Sequence, residues 1–94
     1  ILLTLKSDSI LKAPKNGLVV YADFFKGYGN MVIMALGEGY HLIFSGLKNI
    51  FCKTGDWLQR DALIGDVEID VYSDIYMEVR FEGKTISPNK WFNS

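Results

Sequence analysis

Asp74-Ile75-Tyr76-Met77-Glu78-Val79-Arg80-Phe81 alternates without a break. Ile75, Met77, Val79 and Phe81 fall on one side and Asp74, Tyr76, Glu78 and Arg80 on the other, the period of two of a strand that packs one face and offers the other outward. The same texture of short β-type runs with glycine and asparagine punctuation continues along the chain, and no stretch keeps a helical period. Strands are expected over Leu2–Leu5, Ser9–Lys12, Gly17–Phe25, Met31–Leu36, Tyr40–Ser45, Ala62–Gly65 and Thr85–Ser87. Met31–Leu36 is uniformly apolar, as a strand covered on both faces would be, and is expected at the centre of the sheet. Gly37-Glu38-Gly39 is short enough to make its neighbours an antiparallel hairpin. Turns are expected at Ala13 to Gly17, Lys26 to Asn30, Lys53 to Asp56 and Glu82 to Lys84, and Trp91 and Phe92 are expected to dock on the core.

Ninety-four residues, 49% hydrophobic and 22% charged, make one small mostly β domain, 1–94. The chain starts at Ile1 and not at Met, so a processed product or the C-terminal fragment of a longer chain is expected. Ten Lys and Arg against eleven Asp and Glu leave a charge of -1, too balanced for the electrostatic footprint of a nucleic-acid binder. No segment is long and apolar enough to span a membrane as a helix.

One Cys and one His cannot supply the ligands of an ordinary zinc site or an obvious catalytic dyad. No metal and no cofactor is expected. Cys52, placed in a strand, reads as a small packing residue, and His41 as a partly exposed sheet histidine. Gly27-Tyr28-Gly29-Asn30-Met31-Val32 is not a dinucleotide fingerprint, because Val32 stands where the third glycine belongs and no helix follows. Asp56, Asp61, Glu68 and Asp70 are scattered over turns and read as solvated surface. The row Tyr76, Glu78, Arg80 is either plain surface or a binding face, since Tyr and Arg are the types that dominate interface hot spots.

Six segments in order resemble the lysostaphin/LytM-type zinc metallopeptidase domain of bacterial cell-wall hydrolases. They are Ala13-Pro14 through Ala22, Gly27 through Ile33, Gly39-Tyr40 to Leu47, Lys53-Thr54-Gly55-Asp56 through Gly65, Ile75 through Arg80, and Ile86-Ser87-Pro88-Asn89-Lys90-Trp91. The resemblance implies a single antiparallel β-sheet domain with a central groove and a lipoyl-like, barrel-sandwich motif. Against the family's motifs, the histidine-x-histidine positions hold Asp74 and Tyr76. The histidine of the tyrosine-alanine-histidine-leucine motif falls on Gly46, and the upstream aspartate ligand falls at about Leu2.

Without imidazoles there is no source for a zinc-bound water of lowered pKa, so the resemblance implies a degenerate, non-enzymatic member. Within the family this loss is similar to that in the murein hydrolase activators, which implies a periplasmic or envelope domain that binds and activates an N-acetylmuramoyl-L-alanine amidase in cell separation. The activators' groove residues map onto Tyr28, Met31, Tyr76, Arg80 and Leu2, a groove suited to the apolar stripe of a partner's amphipathic helix. Two other readings stay open: a residual zinc endopeptidase of peptidoglycan, whose ligands lie upstream of Ile1 or are supplied by Asp74 and a partner, and a non-catalytic scaffold that binds glycan or another division or envelope protein. A lipoyl carrier is excluded, because no lysine sits at a hairpin tip in the required setting.

Overall fold

The computed structural model describes residues 2–4, 10–67 and 74–87, with side chains described over 10–67 and 75–87. Ten strands follow in chain order: β1 (Leu2–Thr4), β2 (Ile10–Lys12), β3 (Gly17–Phe25), β4 (Gly29–Gly37), β5 (Tyr40–Leu47), β6 (Asn49–Ile50), β7 (Trp57–Leu58), β8 (Leu63–Asp66), β9 (Asp74–Phe81) and β10 (Lys84–Ile86). The described residues contain no helix, and every strand pairing is antiparallel. The larger sheet runs β1-β9-β5-β4-β3-β7, with β10 also on β9, and the smaller runs β2-β8-β6. The expected mostly β, antiparallel architecture is the one found.

The hairpins follow from local sequence. Gly37 pairs Tyr40 across Glu38-Gly39, and Phe81 pairs Lys84 across Glu82-Gly83. Both two-residue loops carry positive φ at each position, 55° and 87° in the first and 50° and 83° in the second. That is the primed turn whose twist suits flanking strands, and glycine at the second position removes half its steric cost. At the other end of β4, the Tyr28 N–H donates to the Phe25 carbonyl at 2.9 Å, closing the β3–β4 hairpin.

The core lies between the sheets. Val19, Val32, Met34, Leu42, Phe44, Ile75, Met77 and Val79 of the larger sheet join Leu11, Ile64 and Val67 from the side of the smaller one in a single buried cluster. Alternation therefore selects the inner face of β9 as the sequence implies, except that Phe81 is only half-buried and packs on Tyr40 with ring centroids 4.7 Å apart. Burying this inner face drives the two sheets together.

Several expectations need adjustment. β4 is central, but its outer side is covered only in part, since Met31 there is buried while Ile33 and Ala35 are half-buried. Cys52 lies in the coil after β6 and not in a strand, although it does pack on the core. The two-residue strands β6 and β7 were not expected; two residues have no period, and tertiary partners alone define them. The Trp91 and Phe92 docking, the Glu68 and Asp70 surface and the closing proline-tryptophan segment lie outside the described residues.

Candidate functional site

The outer face of the larger sheet is assembled by register. Leu2 pairs Tyr76, Tyr76 pairs Ser45, Ser45 pairs Met31, and Met31 pairs Asp23, so these five positions form one row across five strands. The next row runs Glu78, Ile43, Ile33, Tyr21, and the one after it Arg80, His41, Ala35. Directly opposed residues share a face. Leu2, Met31 and Tyr76, which the sequence put together only by resemblance, thus occupy one line of the sheet.

The floor of this face is tight, with Met31 and Ser45 only 7% and 4% exposed, while Tyr76 at 39% and Tyr28 at 57% stand clear. Tyr28 enters from the β3–β4 turn. It is held edge-on against Phe25, with centroids 5.7 Å apart, and Phe25 in turn packs edge-on against Tyr21 at 6.1 Å. Tyr21 stands in the Glu78 row, so this chain of rings joins Tyr28 to the outer face. Four of the expected groove residues therefore belong to one surface, and Leu2 belongs to it by backbone register.

Glu78 is the hub that sequence reasoning left without a role, although alternation placed it on this face. Its Oε1 accepts from the Tyr76 hydroxyl at 2.8 Å, and its Oε2 accepts from Arg80 Nε at 2.6 Å. The Arg80 hydrogen bond holds the Glu78 carboxyl below the usual carboxylate range, against the opposing effect of burial. Tyr76 is pushed the other way, above the ordinary phenol value, chiefly because its proton is shared with that carboxylate. Arg80 gains still more basicity from the same partner. The three side chains form one polar strip, in which the Arg80 side chain is 43% exposed and that of Glu78 15%.

Gly46 has a backbone constraint invisible in sequence. Asn30 pairs Leu47 while Met31 pairs Ser45, so Gly46 is the extra residue of a β-bulge, with φ at 88°. Thr4 pairs Asp74 at the edge of the face, which places Asp74 by register next to the Tyr76 row. These positions do not fit a zinc ion. Gly46 offers no side chain, the Tyr76 phenol is held protonated by Glu78, and among the described residues no group of three or more His, Cys, Asp and Glu is arranged to hold a metal. His41 is half-buried on the outer face, one row from the Glu78 carboxylate.

Comparison with known proteins agrees with this geometry. The sequence profile of Peptidase family M23 matches residues 1–88. The murein hydrolase activator EnvC of Escherichia coli K12 is 27% identical over 84 residues, covering 86% of this chain and 20% of the activator. The catalytic domain of lysostaphin from Staphylococcus simulans superposes with a TM-score of 0.83 at 16% identity, covering 99% of this chain and 77% of that one. A chain of the SpoIIIAH–SpoIIQ complex superposes with a TM-score of 0.78 at 21% identity, covering 87% and 61%. The chain spans 20% or less of the length of the curated relatives it matches. The match over nearly all of its length shows that this chain belongs to Peptidase family M23.

Proposed function

We propose that this domain is a catalytically inactive M23 fold that binds a cell-wall N-acetylmuramoyl-L-alanine amidase through the outer face of its larger sheet and activates it, acting in peptidoglycan hydrolysis at the bacterial envelope, in the periplasm. The observation that carries this reading is the replacement of would-be imidazoles by a side-chain-free bulge at Gly46 and by Tyr76, whose hydroxyl is committed to Glu78. A face that cannot polarise a water is left with aromatic and guanidinium groups, the chemistry of binding hot spots. Similarity to a murein hydrolase activator supports the same direction. The apolar stripe of a partner helix would lie over Met31 between Tyr28 and Tyr76, with Arg80 meeting its carboxylates or carbonyls.

The test is stimulation of the cognate amidase by the purified domain. Tyr76→Ala and Arg80→Ala should each abolish it while the circular dichroism spectrum remains that of the folded wild type. Normal stimulation by both variants would remove the groove from the mechanism. Stoichiometric zinc in the purified wild-type domain would instead favour the residual endopeptidase.

A further inference from the structure

The last long strand on one side of the larger sheet is left partly uncovered. β7 pairs with β3 only at Gly17 and Leu18, and the segment at Gly55 and Asp56 continues that contact to Val19 and no further. From Val20 to Phe25, no described strand lies on the side of β3 away from β4. The Phe25 carbonyl accepts from Tyr28 inside the hairpin, so by alternation the N–H and C=O of Phe24 point to the open edge. Phe24 is also the most exposed large apolar side chain among the described residues, at 63%. An unpaired edge beside an exposed phenylalanine is the arrangement that recruits another strand.

Neither of Phe24's backbone groups is left open. Its N–H donates to Asp23 Oδ1 at 2.7 Å, and its carbonyl accepts from the Tyr21 hydroxyl at 2.7 Å. Two neighbouring side chains of the same strand thus occupy the donor and the acceptor that a ladder would need. We propose that Asp23 and Tyr21 form a two-residue cap that keeps this edge closed against the same edge of a second copy of this chain. A second copy is the occupant the geometry suits, because antiparallel pairing about a two-fold axis at Phe24 brings the identical donor and acceptor of each molecule together and lays the two phenyl groups alongside. The cap works by occupation and needs no bulk.

Sedimentation equilibrium of the domain decides the matter. The wild-type domain is expected to be monomeric, and the double variant Tyr21→Phe with Asp23→Ala to associate as a dimer at least tenfold more tightly. Asp23→Asn, which keeps the Oδ1 acceptor, should remain monomeric. Adding Phe24→Lys to the double variant should restore the monomer, since like charges would then face each other across the pair. A folded double variant that stays monomeric at every concentration overturns the proposal, as does a wild-type dimer formed through this edge. If the double variant does not fold, Tyr21→Phe alone frees the carbonyl, and unchanged sedimentation of that variant is equally fatal.

Discussion

Arg80 and Glu78, two positions apart on the exposed side of β9, meet through Nε and Oε2 at 2.6 Å, with the Arg80 side chain 43% exposed. Because residues two apart on a strand share a face, the pairing costs no backbone distortion and leaves the ladder with β5 intact. Under the proposed function this fixed side chain would lower the ordering cost of binding.

The charge state of this strip should follow Glu78. With its carboxyl held below the usual range, Glu78 contributes stability that is fully present above the ordinary carboxylate value and is lost as pH falls through the lower folded value. Tyr76 carries the opposite sign: raised in the folded state, it contributes below the ordinary phenol value and loses that contribution as pH rises through the folded one. Glu78→Gln should bring the Tyr76 titration back toward the ordinary phenol value, followed by the tyrosine ring resonances across a pH series. A Tyr76 titration unmoved by Glu78→Gln would show that the hydroxyl is held by something else.

Placing an imidazole in the bulge of β5 should be unfavourable. At φ 88°, Gly46→His places a Cβ in the left-handed region, at a cost of about 1–2 kcal/mol. The measurement is the urea midpoint at unchanged slope. A midpoint equal to wild type would mean that the bulge relaxes freely around the new side chain.

Gly65→Ala should be worse than its size suggests. Gly65 pairs with Ile50 where β8 meets β6, and a Cβ there would run into the carbonyl oxygen of Asn49. That neighbour is backbone and cannot swing aside, so a loss of about 1–3 kcal/mol is expected in denaturant unfolding. Gly55→Ala, with open space around its Cβ but φ at 98°, isolates the conformational part of such a change.

Cys52 should react slowly. Burial pushes its thiol up, with the nearby Asp56 charge adding to the effect, and its Sγ lies 3.8 Å from the Ile64 carbonyl. The thiolate is the reactive form, so modification by an aromatic disulfide at neutral pH should be slower than for free cysteine and should accelerate in urea. A folded-state rate equal to that of free cysteine would contradict this account.

The strand at 74–81 and the glycine hairpins could be read from residues alone because alternation and turn chemistry act over a few positions. The groove needed more. Whether Tyr76, Ser45 and Met31 share a row depends on the register shifts between Asn30 and Met31 and between Ala35 and Gly37. Each shift flips the phase of the face, and apolar runs such as Met31 to Leu36 carry no mark of it. The positive φ of Gly46 was hidden for the same reason. Glu78's role depended on rotamers, and alternation reports only a side.

The pairing of Leu2 with Tyr76 also sets a time order. β9 receives β1 from the start of the chain and β5 from its middle, so the central row cannot exist until residues far apart in sequence have met. Loop closure of that span precedes any reward from the contacts it makes, which places this domain among slow-forming β topologies. The row that carries the proposed binding face is therefore completed only when these distant segments meet.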